Sequence, residues 1–289
     1  MSRLSRSASL ALAALGLALM HPAQAQTIIY AQDDASAYIT DFMGTGANNT
    51  TITQPNHGTG FNPLVFQNTG SSYAGWYLGA GEPVGTGTNN NTFSLYAGPD
   101  NYTSATRSFN FSPNGVTPPV AGATTPLLAG QTFATSFQNH YISNGNTVGF
   151  SLANSAGAAL FTFDFLGGTN DYRVTDATGT ITDFVPGYTE AGLDTSFTLT
   201  GANTFTFSAA KRVGSVSHSY SGTVGGAIDR IVYFDNHGGP SSDVKWSAMS
   251  ITTPVAAAPE PSQMAVLAIC ALGLGGLMLA RRRQNMRLA

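Results

Sequence analysis

The chain has 289 residues with 12 basic and 15 acidic side chains, a formal net charge of −3. Within residues 26–252 the imbalance is steeper, six basic residues against fourteen carboxylates, a formal charge of −8. Such an acidic, lysine-poor surface excludes nucleic acid as a partner, because phosphates are bound by clustered cations, and the single cysteine, Cys270, excludes a disulfide framework.

Taken in chain order, Arg3 and Arg6 precede an apolar stretch from Leu10 to Met20, and Ala23-Gln24-Ala25 then forms an A-x-A site before Gln26. This is the pattern of a secretory signal peptide over residues 1–25, cleaved between Ala25 and Gln26 after export through the Sec machinery.

Residues 26–252 read as an all-β body. Short runs of β-branched and aromatic residues alternate with Gly, Asn, Pro and Asp, and no stretch keeps a helical period. Strands are predicted at Thr27 to Ala31, Pro63 to Gln67, Ala74 to Leu78, Thr92 to Ala97, Thr106 to Phe111, Thr132 to Gln138, Thr147 to Leu152 and Leu160 to Phe165. Others follow at Tyr172 to Thr175, Thr195 to Leu199, Thr204 to Ser208, Asp229 to Phe234 and Lys245 to Ile251. In Leu160 to Phe165 the three phenylalanines share one face, as in a half-buried antiparallel strand. Ile231 to Phe234 reads as a strand buried on both sides, and Asn154-Ser155-Ala156-Gly157 as a hairpin turn. The Pro-rich stretch 116–128 is either a linker between two domains or a loop crossing between the sheets of one; the single domain is preferred. The expected fold is an antiparallel β-sandwich of jelly-roll or concanavalin-like type.

Beyond the body, residues 253–263 are rich in Ala and Pro, and Pro259 and Pro261 keep the chain around Glu260 extended. Met264 to Ala280 carries no charge and, at about 1.5 Å per residue, would span roughly 25 Å as a transmembrane helix. Arg281, Arg282 and Arg283 open a basic tail, 281–289, that the positive-inside rule holds in the cytoplasm, leaving the body on the outer side.

The order Pro259-Glu260-Pro261, apolar span and arginine cluster resembles the PEP-CTERM sorting domain of Gram-negative bacteria, a likeness confined to this tail. The resemblance implies that a membrane-embedded exosortase recognises the triplet, removes the helix and passes the body to the cell surface or extracellular matrix. It also implies a biofilm or exopolysaccharide setting, with exopolysaccharide as a partner. It assigns no chemistry to the body.

No nucleophile elbow, Walker loop, zinc helix or paired-cysteine motif occurs. His57, His140, His218 and His237 are scattered singly. Asp235, Asn236 and Asp243, around Gly238-Gly239, have the oxygen chemistry of a calcium or sugar site, although turn formation accounts for the same residues. Trp76, Tyr77, Tyr73 and Trp246 are the aromatic candidates for stacking on sugar rings, with core packing as the alternative. The expectation is a structural or carbohydrate-interacting surface protein without catalytic residues or an obligatory cofactor. A secreted polysaccharide-active hydrolase or lyase is the alternative.

Overall fold

A computed structural model describes residues 26–38, 42, 50–70, 73–113, 120–214, 216–236 and 243–255. The leader with Ala23 and Ala25, the triplet Pro259 to Pro261, the span 264–280 and Arg281 to Arg283 lie outside the described residues, and Gln26 begins the first strand. Among the described residues no helix is long and apolar enough to cross a membrane.

Ile28–Thr253 form one compact unit of two antiparallel sheets. One sheet contains β1 (Gln26–Asp34), β4 (Ala74–Gly79), β5 (Thr92–Ala97), β7 (Thr132–Asn139), β12 (Leu193–Leu199), β13 (Thr204–Lys211), β14 (Ser217–Thr223), β16 (Asp243–Trp246) and β17 (Ala248–Val255). Its order is β14-β13-β12-β7-β16-β5-β4, with β17 continuing β16 along β7 and pairing with β1. The other contains β2 (Thr51–Thr53), β3 (Val65–Thr69), β6 (Tyr102–Ser108), β8 (Thr147–Ala153), β9 (Ala159–Leu166), β10 (Asp171–Asp176), β11 (Gly179–Pro186) and β15 (Arg230–Asn236). Its order is β11-β10-β9-β8-β15-β6-β3-β2.

The sheets are joined through their aromatic faces into a sandwich. Phe150 and Phe163 of the second sheet lie 6.4 and 5.1 Å, centroid to centroid, from Phe207 of the first. Phe161 meets Phe197 at 5.1 Å. Tyr233 lies flat on Trp246, 4.0 Å apart and 7° from parallel. In β9 the alternation works as expected: Phe161, Phe163 and Phe165 are buried while Thr162 is only partly so. Between β8 and β9, the Asn154 carboxamide accepts the N–H groups of Ala156 and Ala158, and Gly157 takes φ +83°, a value that favours glycine.

Some boundaries differ from expectation. Sequence patterning missed β2, β11 and β14, and all three are terminal strands of their sheets. An edge strand buries little of either face, so its residues carry no strong alternation; the first five of β11 are all exposed. β6 begins at Tyr102, four residues earlier than expected, because its polar Thr103 and Ser104 are buried. Ser247 divides the expected strand Lys245 to Ile251: its N–H and hydroxyl bond the Ser136 hydroxyl and its hydroxyl also donates to the Val84 carbonyl. β15 is not buried on both sides, since Ile231, Tyr233 and Asp235 face the core while Val232 and Phe234 are partly exposed. The Pro-rich segment connects β6 in one sheet to β7 in the other, and its described end is tied in by Leu127 N–H to the Ile228 carbonyl.

Candidate functional site

The outer face of the first sheet carries the site. In β7, Phe133 and Phe137 point into the sandwich, so alternation turns Ala134, Ser136 and Gln138 outward. This outward face is nevertheless largely covered, with Ser94 wholly buried and Ser136 and Gln138 nearly so. The connection between β4 and β5, residues 80–91, lies over it as a strap. Glu82 on the strap bonds Lys245 of β16 at 2.6 Å, and Lys245 lies 3.0 Å from His140 Nε2. The strap also receives Arg212 at the Pro83 carbonyl (2.7 Å) and gives the Thr86 hydroxyl to Asp34 (2.6 Å).

Beside the strap is a cleft of about 580 Å³. Gln32 and Asp34 from the end of β1 form one wall together with His57. Asp194 and Arg212 form the opposite wall, and Ala134, Ser136 and Ser250 line it from β7 and β17. The walls are braced: Gln32 and Thr59 exchange two backbone hydrogen bonds, 2.9 and 2.8 Å. Arg212 donates from Nε and Nη2 to Asp194 Oδ1 at 2.9 and 2.8 Å.

Beneath the cleft is a buried charged cluster. Arg107 occupies a core-facing position of β6 in the second sheet, yet its guanidinium reaches Asp33 of β1 in the first, 2.9 Å away. The Tyr38 hydroxyl donates to the Asp33 carboxylate at 3.1 Å and accepts from Arg107 Nη1 at 3.3 Å and from the His57 N–H at 3.2 Å. Arg107 Nη2 also donates to Asn56 at 2.6 Å, and its guanidinium carbon lies 5.5 Å from the centre of the Phe61 ring. Burial raises the Asp33 carboxyl above the ordinary carboxylate range, against the pull of Arg107 and the Tyr38 hydroxyl. Gly58 is needed here, because a β-carbon would collide with Arg107 and Asp33.

Several predicted site residues stand elsewhere. Trp76 and Trp246 are fully buried, stacked on Phe66 and Tyr233, and are not sugar platforms. Their large apolar surface is worth more in the core than at a solvated face. Tyr77 is partly buried against Tyr96, and Tyr73 is 60% exposed with its ring 4.9 Å from the same tyrosine. Asp235 corrects the calcium expectation: its side chain is wholly buried and accepts the Ala97 N–H at 3.2 Å, facing the core rather than a solvated loop. Asn236 is partly exposed at the end of β15, residues 237–242 lie outside the described residues, and Asp243 begins β16. Among the described residues no group of three or more His, Cys, Asp or Glu side chains is placed to hold a metal.

Of the groups that converge on the cleft, sequence reasoning named only His57, and gave it no role. Asp33, Asp34, His57, Asp194 and Arg212 come from four separate segments, and no motif spacing connects them. The one available signal was Arg107 at a core-facing position in a strand, because a buried cation requires a partner.

No family model matches the chain, and no curated relative matches it. Among solved structures it is similar to the CBM2 module of the evolved Dit of Lactobacillus casei BL23 phage J-1, at 13% identity over 81% of this chain and 98% of that one, TM-score 0.42. It is also similar to a protein of unknown function from Shewanella oneidensis MR-1, at 10% identity over 90% and 97%, TM-score 0.42. A third is the exoplasmic/lumenal domain of VIP36 in its Ca2+/Man3GlcNAc-bound form, at 8% identity over 66% and 87%, TM-score 0.36.

Proposed function

We propose that this chain is an exported, exosortase-sorted surface or matrix protein whose sandwich, of jelly-roll or concanavalin-like type, binds carbohydrate in the cleft beside the 80–91 strap. The observation that carries the reading is the cleft itself, lined by an amide (Gln32), carboxylates (Asp34 and Asp194), a hydroxyl (Ser250), an imidazole (His57) and a guanidinium (Arg212). Its volume falls within the roughly 300–1,000 Å³ of small-molecule sites. Polar donors and acceptors held by mutual hydrogen bonds suit a polyhydroxylated ligand, because they need no rearrangement when they exchange water for sugar hydroxyls. The sorting assignment is supported by Pro259-Glu260-Pro261, the apolar stretch that follows and Arg281 to Arg283.

The test is glycan-array binding by the full chain, solubilised in a detergent without a sugar headgroup. Ser250→Trp would fill the cleft; the expected result is retained fold and lost polysaccharide binding. Unchanged binding by that variant would remove the cleft from the proposal. A hydrolase or lyase is the competing reading, because two carboxylates, Asp34 and Asp194, line the cleft. Release of reducing or unsaturated ends from a polysaccharide would replace binding with catalysis. For the sorting step, mass spectrometry of the exported protein is expected to show a new C-terminus near Glu260, and an intact tail on surface-released protein would refute it.

A further inference from the structure

A second, smaller recess lies away from the strap, where the β7–β8 connection, the β9–β10 turn and the β11–β12 connection meet. Its volume is about 200 Å³, and Tyr141, Tyr188 and Phe165 line it with Thr169 and Asn170. Tyr141 is 71% exposed, more than any other described tyrosine, phenylalanine or tryptophan, whereas Phe165 is buried and Tyr188 is half-buried.

The recess is held in shape by its own backbone. Gly145 N–H donates to the Gly167 carbonyl at 3.0 Å and Gly167 N–H to the Asn146 carbonyl at 2.8 Å, tying the first two segments together. The Thr169 hydroxyl closes the turn on the Leu166 carbonyl at 2.7 Å. Gly168 takes φ +84° where a β-carbon would strike the Asn144 side chain, so the turn has little freedom. The Tyr188 hydroxyl is anchored to the Asn139 carbonyl at 3.1 Å and its ring lies 5.6 Å from that of Phe165.

We infer that this recess is a second carbohydrate-binding site, separate from the cleft, which takes a single neutral pyranose, a terminal or pendant sugar, stacked on the Tyr141–Tyr188 wall and hydrogen-bonded by Asn170. An aromatic wall offers the apolar face that the axial C–H groups of a pyranose pack against, and a carboxamide offers both a donor and an acceptor for adjacent hydroxyls. The space admits one ring rather than a chain running through. Among the described residues no cationic side chain lines the recess, so nothing in it compensates for desolvating a uronate carboxylate. These are the requirements that the sequence reading looked for at Trp76 and Trp246, met instead by tyrosines on surface connections.

The test uses the full chain, in a detergent free of sugar, with methyl β-D-glucopyranoside, methyl β-D-galactopyranoside and methyl β-D-glucuronide as probes, followed by saturation-transfer NMR. At least one neutral glycoside is expected to receive saturation from tyrosine rings on its axial C–H face, and the glucuronide at least tenfold less. Tyr141→Ala, at an exposed position, is expected to weaken that binding at least tenfold with the fold retained by circular dichroism, while Asn170→Ala weakens it less and Ser250→Trp has no effect. Equal binding by Tyr141→Ala, equal binding of the glucuronide, or no transfer to either neutral probe would overturn the inference. If Ser250→Trp alone abolishes glycoside binding, the cleft reading stands and this second site falls.

Discussion

Arg107 and Asp33 form an ion pair across the interior of the sandwich, 2.9 Å apart, with neither side chain reaching solvent. One comes from each sheet, and Tyr38, Asn56 and the His57 backbone complete the shell. Removing one member of such a pair leaves an uncompensated buried charge, at a cost of about 3–5 kcal/mol. Asp33→Ala is therefore expected to lower unfolding stability by that amount in urea titrations. The joint replacement Asp33→Leu with Arg107→Met is expected to recover much of the loss, since hydrophobic substitution of a whole buried pair is often neutral.

A carboxylate fastens one sheet to the other. Asp176, at the end of β10, accepts from the Thr178 hydroxyl and N–H, and across the sandwich from the Thr223 N–H and Tyr220 hydroxyl of β14. Partial burial pushes its pKa up, but these hydrogen bonds outweigh that and hold it below the ordinary value of 3.8. A depressed folded value means that the stabilisation is present above the unfolded pKa and is lost as pH falls through the folded one. Asp176→Asn is expected to melt below the parent at pH 6, with the gap closing in acid below about pH 4. A gap independent of pH would contradict the assignment. Gly222→Ala should mimic the loss at pH 6, because its β-carbon would strike the Asp176 carboxylate.

The strap depends on Lys245. Its ammonium is almost fully buried, 2.6 Å from Glu82, with His140 alongside. Glu82→Ala removes the carboxylate and is expected to cost about 3 kcal/mol or more. If the strap shapes the cleft, this variant also loses polysaccharide affinity, whereas destabilising the opposite sheet equally leaves affinity intact. Thermal melts paired with binding isotherms check both.

Trp246 lies flat on Tyr233, whose hydroxyl bonds Thr135 at 2.6 Å. Trp246→Ala is expected to destabilise by about 3–5 kcal/mol, as for other large-to-small core changes. At temperatures where the variant remains folded, carbohydrate binding is expected to persist. Loss of sugar binding in a folded Trp246 variant would restore the stacking role that its burial removes.

Tyr188 titrates late. Burial first, and the negative charge of Glu190 second, push its phenol up to about 12. A raised folded value means that the native state keeps its proton longer, so this group's stabilisation declines as pH climbs from 10 toward 12. Ultraviolet titration of Tyr188→Phe against the parent is expected to show the missing phenol at the alkaline end, and Glu190→Gln to move the Tyr188 transition downward.

Strands with one apolar face were legible in the sequence because burial writes a period of two: Phe161, Phe163 and Phe165 in β9, and Phe205 and Phe207 in β13, were placed correctly. Edge strands β2, β11 and β14 were not, since backbone pairing to a neighbour, rather than a buried side-chain face, holds them. Trp76 and Trp246 show the limit of composition: an aromatic residue among polar ones reads equally as a binding platform or a core filler, and only the opposing sheet decides.

The sequence by itself determined the all-β class and an acidic body without disulfides, because hydrophobic period, charge and cysteine number act locally and additively. Only the tertiary structure decided where the charges meet. Asp33 with Arg107, Lys245 with Glu82, and Asp194 with Arg212 are 74, 163 and 18 residues apart or come from different strands and loops. Their meeting depends on sheet order and on a strap folding back over an outer face, both set by non-local pairing that no short stretch of sequence encodes.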